Sequence, residues 1–214
     1  MSRKTASLVA VRDGKITDEA LGLIQRKAND AAKRVESGRP IEEILKGFQD
    51  VLEGQSIVGP HFVWKRLEIG THKNVKSLRK AVLESGSRIS NWADGILNKT
   101  ELSKSKDCLD LVVLSVEELG FPQGARLEDI YKAANNRGLD LCPAEVGPQL
   151  RYQYPDQPRG EWFLIAMDPI YGSGGDPLLF YVGHYDIGRW LGAYYGRPGY
   201  FWDANVRFVF VCRK

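Results

Sequence analysis

The chain has 214 residues, which is enough for one large domain or two smaller ones. Hydrophobic residues make up 43% and charged residues 27%, which excludes an intrinsically disordered chain, a collagen-like fibre and a small disulfide-rich protein. No apolar run approaches the roughly 20 residues of a membrane span, and the first residues lack the apolar core of a secretory signal. These features predict a protein without a signal peptide or membrane span, cytoplasmic by default. The three scattered cysteines are expected to be reduced thiols.

Charge and aromatic residues are unevenly distributed. Residues 1–106 carry 20 basic and 13 acidic side chains, a net charge of +7, whereas residues 107–214 carry 10 and 14, a net charge of −4. Of the 22 aromatic residues, 11 lie between residues 180 and 210. The asymmetry predicts two unlike domains, 1–106 and 107–214, and the apolar spacing described next indicates that the first is a mainly helical accessory domain.

The first half begins with a short apolar segment and a turn at Asp13-Gly14, and then reads mainly as helices. Apolar spacing predicts helices over about 17–35 and 40–52, the second starting at Pro40. A short strand or hairpin is expected within 56–69. Two further helices are predicted, one capped by Asn74 and one capped by Ser87 that carries Ile89 and Trp92 on its apolar side. The polar segment 98–107 is the predicted domain boundary.

The last two of these helices suggest an alternative function. Basic residues cluster around them, and a helix-turn-helix that contacts phosphates is one interpretation. The other interpretation is a solvated basic face on an ordinary helical pair. The residues are Lys73, Lys76, Arg79, Lys80 and Arg88. A nucleic-acid-associated regulator therefore stands as the alternative to the function developed below.

The second half has the pattern of an α+β domain. A nearly continuous apolar run at 111–116 predicts a buried strand. Two helices should follow, one ending at Gly138 and a short one starting at Pro143. Strands are expected at 162–167, 178–182 and 207–211, separated by long loops. This order predicts an α+β fold for 107–214 with no repeated βαβ units.

The residue types that carry catalysis or bind metals form no recognisable pattern. His184-Tyr185-Asp186 reads as a polar loop, and the cysteines lack the spacing of a zinc site. Residues 172–176 (GSGGD) lead into a strand instead of a helix, so they predict a turn and no phosphate site. The sequence therefore predicts a protein that is not an enzyme and has no cofactor or metal.

The segment 188–207 combines Tyr and Trp with small and polar residues, as binding loops do. We interpret the large apolar residues of this region as a scaffold and the small and polar residues between them as exposed. The predicted scaffold residues are Trp190, Leu191, Tyr195, Trp202, Phe208 and Phe210.

This frame resembles the variable proteins of diversity-generating retroelements, which have a C-type lectin fold. The resemblance rests on Trp190-Leu191, on Gly196 to Pro198, on Phe201-Trp202 and on the strand 207–211. It also rests on the strand–helix–helix order upstream and on Gly160-Glu161-Trp162 at the start of a strand. It covers roughly residues 109–214, and it implies a C-type-lectin-like domain after the helical module.

The resemblance further implies a non-catalytic binding surface diversified by reverse transcription, with a protein or cell-surface ligand as the unknown partner. Its variable, solvent-exposed residues would be Gly192, Ala193, Tyr194, Arg197, Gly199, Tyr200, Asp203, Asn205 and Val206. The motifs of calcium-dependent sugar-binding lectins are not reproduced, so no calcium site is expected. A single Cys212 cannot replace the reactive cysteine pair of the related formylglycine-generating enzymes.

Overall fold

A curled mixed sheet with four helices forms the part of the chain that the computed structural model describes continuously, residues 63–213. Nearer the N terminus the structure describes only four two-residue strands, which pair as two antiparallel hairpins: β1 (Val11–Arg12) with β2 (Lys15–Ile16), and β3 (Ile57–Val58) with β4 (His61–Phe62). The helices predicted at 17–35 and 40–52 lie outside the described residues.

The remaining elements follow in chain order. They are β5 (Lys65–Ile69), α1 (Val75–Glu84), β6 (Arg88–Ile89), α2 (Asn91–Leu97), β7 (Asp107–Ser115), β8 (Ala125–Arg126), α3 (Leu127–Asn136), β9 (Leu139–Asp140), α4 (Val146–Gln153), β10 (Trp162–Ile165), β11 (Ile170–Tyr171), β12 (Pro177–Tyr185), β13 (Gly188–Tyr195), β14 (Phe201–Trp202) and β15 (Arg207–Cys212). The α+β class predicted for the second half is confirmed.

The large sheet has the order β5-β7-β15-β10-β12-β13-β6. Most neighbours are antiparallel, but β10 runs parallel to β15 and β6 runs parallel to β13. Strand β15 lies in the middle of the sheet, between β7 and β10, and is buried along nearly its whole length. A separate two-stranded sheet pairs β14 with β8.

The chain divides between Phe62 and Val63, not near residue 106 as composition predicted. Strand β5 pairs with β7 across the predicted linker. The linker itself is held, because the buried Glu145 carboxylate accepts the backbone N–H of Ser103 at 2.7 Å and of Gly70 at 2.8 Å. The segment 98–107 is therefore polar because most of it is exposed, while Ser103 ties it to the second unit.

Helix α1 begins as predicted. The Asn74 side chain accepts the N–H of Ser77 at 2.9 Å, and the Ser77 hydroxyl lies 3.4 Å from the Asn74 N–H, which is a capping box. The cap predicted for the next helix at Ser87 is wrong. Ser90 caps α2 by accepting the N–H of Ala93, and Ile89 belongs to the edge strand β6 instead.

The three cysteines are free thiols in different environments. Cys108 is exposed on β7, whereas Cys142 donates its S–H to the Val209 carbonyl at 3.3 Å. Burial raises the pKa of Cys142 well above its usual range and raises the pKa of Cys212 to about 11.

These environments predict the result of thiol titration with a chromogenic disulfide at neutral pH. The thiolate is the reactive form, so Cys108 should react rapidly and the two buried thiols should react slowly. We expect one fast equivalent per native chain and three after unfolding in denaturant. Replacing Cys108 with Ser should remove the fast phase, and a fast phase that persists in that variant would contradict this assignment.

Candidate display surface

The predicted surface residues lie on β13 and on the following segment, residues 196–206, which we call the display loop. Five of the nine are exposed, and Tyr200 is half-buried. The exposed residues are Tyr194, Arg197, Gly199, Asp203 and Asn205. These six positions are accessible.

The other three residues are not exposed, which corrects the prediction. Ala193 and Val206 are each 9% exposed, and Gly192 is buried within β13. Gly192 lies directly opposite Tyr181 of β12, and a Cβ atom at Gly192 would come within 2.1 Å of the Tyr181 ring. Because the sheet places this ring over the glycine, Gly192 is a packing residue.

This packing predicts unequal effects for one substitution at two glycines. Gly192→Ser should lower the free energy of unfolding by about 1–3 kcal/mol, because the Tyr181 ring must move away from β13. Gly199→Ser is the matched control, because no heavy atom lies within 4 Å of the position of its Cβ, and its effect should stay within about 0.5 kcal/mol. Thermal unfolding measures both. Equal midpoints would contradict the packing role of Gly192.

The scaffold residues form an aromatic core below the display loop. Leu191, Trp202, Phe208 and Phe210 are buried, and Trp190 and Tyr195 are half-buried. The Trp202 ring lies 4.9 Å from the Tyr200 ring and 5.1 Å from the Tyr194 ring, and its edge meets Phe208 at 5.7 Å. Two accessible tyrosines therefore rest directly on a buried tryptophan.

Backbone hydrogen bonds hold the display loop at both ends. Helix α3 has no side-chain N-cap, and its first N–H groups bind loop carbonyls instead: Leu127 donates to Tyr200 at 3.0 Å and Glu128 to Pro198 at 3.1 Å. At the other end of the loop, Glu117 donates its N–H to the Ala204 carbonyl at 2.8 Å. Because these bonds involve backbone atoms, replacing the display side chains leaves them available.

Gly124 permits a close approach between the turn before α3 and strand β14. Its φ of +87° lies in the left-handed region, and a Cβ there would come within 2.5 Å of the Trp202 carbonyl oxygen. The turn before α3 therefore packs directly against β14, which fixes Trp202 below the loop.

The exposed residues also contact one another and the neighbouring turn. The Arg197 guanidinium pairs with Asp176 at 2.5 Å and lies 5.7 Å from the centre of the Tyr195 ring. Asp176 belongs to the glycine-rich segment, which forms a turn as predicted, with the Gly172 N–H donating to the Asp176 carbonyl. The phenol of Tyr200 donates to that of Tyr194, and this hydrogen bond, with smaller contributions from burial and nearby groups, raises the pKa of Tyr200.

Two exposed aromatic residues at this surface, Trp92 and Phe201, were not predicted from the sequence. The apolar spacing of α2 placed Trp92 on a buried side, but its side chain is 53% exposed and its edge meets Tyr195 at 5.6 Å. Phe201 is 55% exposed beside the buried Trp202. No local signal distinguishes these rings from core residues, because their exposure depends on the packing of distant elements.

The basic residues of the alternative interface are largely engaged within the chain. Arg79 donates to Asp94 at 2.6 Å, Lys80 lies 3.6 Å from Glu84, and the Arg88 guanidinium lies 5.6 Å from the centre of the Trp190 ring. Three of the five basic side chains thus have a partner within the chain, which favours the interpretation of an ordinary helical pair.

His184 and His72, two of the residues considered for chemistry, have structural partners. The Nδ1 atom of His184 lies 2.6 Å from the Gln157 carbonyl oxygen, and that of His72 lies 2.9 Å from the Thr71 hydroxyl. Within the part of the chain that the structure describes, no group of three or more His, Cys, Asp or Glu side chains is placed to hold a metal ion. No helix in the described part of the chain is long and apolar enough to cross a bilayer.

Comparison of the chain with protein-family models, with curated proteins and with solved structures found no match.

Proposed function

We propose that this protein is a non-catalytic binding protein whose C-terminal domain has a C-type-lectin-like fold and displays a surface diversified by a retroelement. One observation carries the proposal: Tyr194 and Tyr200 are accessible side chains that rest on the buried ring of Trp202, at 5.1 and 4.9 Å. Replaceable residues over a fixed aromatic base are what a display surface requires.

Two further features support the proposal. The order of the main elements agrees with the order on which the resemblance rests: strand β7, helix α3, helix α4 and strand β10. The display loop is anchored by backbone hydrogen bonds to Leu127, Glu128 and Glu117, so its side chains can change while its path is kept.

The burial data narrow the proposed surface to six positions. They are Tyr194, Arg197, Gly199, Tyr200, Asp203 and Asn205. Tyr and Arg at such positions supply large, rigid contact areas and directional hydrogen bonds, which suit recognition of a protein or cell-surface ligand.

The DNA around the gene tests the diversification directly. We expect a near-copy of the coding segment for residues 190–211 close to a reverse transcriptase gene. The two copies should differ mainly at adenines of the template, in the codons of the six accessible positions. The codons of Gly192 and Trp202 should be identical in both. A genome without such a repeat would contradict the proposed diversification.

A further inference from the structure

Trp92 extends the display surface beyond the region that the resemblance covers. It lies on α2, before strand β7, and more than half of its side chain is exposed. A large aromatic side chain left in water is characteristic of an interaction site when other exposed aromatic residues adjoin it. Trp92 meets the edge of the half-buried Tyr195, which in turn contacts the accessible Tyr194 and Tyr200.

The aromatic rings form one continuous row. Tyr195 stacks on Tyr200 at 6.3 Å with an angle of 25° between the ring planes, and Tyr200 meets Tyr194 edge-on at 5.9 Å. The row therefore runs from Trp92, which lies outside the predicted variable set, to two residues within it. A ligand seated on Tyr194 and Tyr200 lies next to a tryptophan that diversification leaves unchanged.

The charges around this row favour a cationic ligand. Arg197 is paired with Asp176, and Lys99 of the turn after α2 donates to the Tyr171 carbonyl at 2.7 Å. Three exposed carboxylates on or beside the display loop, those of Asp203, Glu117 and Glu128, form no ion pair with another described residue. The cations without an ion pair there are two among the described residues: Arg126, whose backbone pairs with Phe201, and Lys99, which keeps its charge because its partner is a neutral carbonyl.

Unpaired carboxylates thus outnumber unpaired cations beside a row of aromatic faces. The face of an aromatic ring carries partial negative charge and attracts guanidinium and ammonium groups. The surface already shows this contact internally, in the position of Arg197 over Tyr195. Nucleic acid would instead require a net basic surface.

We infer that the display surface binds protein segments presenting arginine or lysine side chains, with Trp92 as a constant anchor beside the variable tyrosines. This inference rests on the proposed function and adds to it a fixed binding residue and the chemical class of the partner.

Panning a phage-displayed library of random peptides against the immobilised full-length chain tests the inference. Selected peptides are then synthesised, and their affinities are measured for the wild-type chain and for three variants. Trp92→Ala removes the proposed anchor, and Tyr200→Ser removes part of the variable surface. Ile187→Ala is the control, because Ile187 is 65% exposed at the turn that begins β13, at the far end of that strand from Tyr194.

We expect the selected peptides to be enriched in arginine or lysine and to bind more weakly as salt is added. Trp92→Ala should weaken their binding at least about tenfold and Tyr200→Ser by a similar factor, with Ile187→Ala neutral. Peptides that lose affinity with Tyr200→Ser but not with Trp92→Ala would overturn the inference and leave the proposed surface standing. Acidic peptides that lose affinity with these variants would also overturn the inference and leave the proposed surface standing. If no selected peptide responds to either variant, both the inference and the proposed surface are contradicted.

Discussion

Trp202→Ala should lower the free energy of unfolding by about 3–5 kcal/mol, the usual cost of deleting a buried large aromatic side chain. The Trp202 side chain is 4% exposed, and it fills the space between the rings of Tyr194, Tyr200 and Phe208. Its removal leaves a cavity that the loop cannot close, because the loop backbone is held by α3. For a unit of this size the thermal midpoint should fall by roughly 6–20 °C.

Trp92→Ala is the matched control for this prediction. The same atoms are removed, but more than half of the Trp92 side chain is already in water. Its effect should be about 1 kcal/mol. Thermal unfolding of the two variants with the wild-type chain makes the comparison. Equal losses would show that Trp202 does not support the display loop in the way described.

Arg151→Met should also be strongly destabilising. The Arg151 side chain is fully buried, and its guanidinium donates to the side chain of Gln157 and to the carbonyls of Tyr154 and Gly183. Burial is the main reason that the pKa of Arg151 is lowered to about 10. Methionine has a similar length but donates no hydrogen bond.

Two effects oppose each other in this variant. Removing a buried cation relieves its desolvation, but three buried acceptors lose their donor, at about 1–3 kcal/mol for each group left unsatisfied. The second effect should prevail because the acceptors are fixed in β12 and in the turn after α4, and we expect a net loss of about 2–4 kcal/mol.

Arg159→Met provides the control, because Arg159 is exposed and only pairs with the exposed Asp186 at 3.8 Å. That change should stay within about 0.5 kcal/mol. Denaturant unfolding measures both free energies. If Arg151→Met is as stable as Arg159→Met, the buried guanidinium contributes nothing to the fold.

Much of the second unit could be predicted because local signals agreed with tertiary packing. The apolar run of β7, the Gly138 stop after α3 and the cap at Asn74 each act within a few residues. Strand β13 could not be predicted in this way. Its composition, with Gly192 among tyrosines, is typical of loops, and it becomes a strand through its register with β12.

The polar interior was equally inaccessible to sequence reasoning. Glu145 and Arg151 are charged residues that composition assigns to a surface, but both are buried. Their hydrogen-bond partners include Gly70, Ser103 and Gly183, which are more than 30 residues distant in sequence. Such partners appear only once α4 packs against the sheet, and for the same reason the predicted boundary near residue 106 was misplaced.

At the candidate surface, the alternation of large aromatic and small or polar residues correctly separated most of the scaffold from the accessible positions. Gly192, Ala193 and Val206, which the resemblance places in the exposed variable set, are buried. In β13 a small residue instead leaves room for the ring of the opposing strand. Exposure at these positions is decided by cross-strand neighbours, which a single sequence does not identify.

Saturation mutagenesis of residues 188–211 in the full chain separates a replaceable surface from a fixed frame. Protease resistance of each variant measures its folding. Most replacements at the six accessible positions should leave the chain resistant: Tyr194, Arg197, Gly199, Tyr200, Asp203 and Asn205. Replacements at Gly192, Trp202 and Phe208 should make it sensitive. If the six accessible positions prove as intolerant as Trp202, they are structural residues, and a fixed frame with a replaceable surface is contradicted.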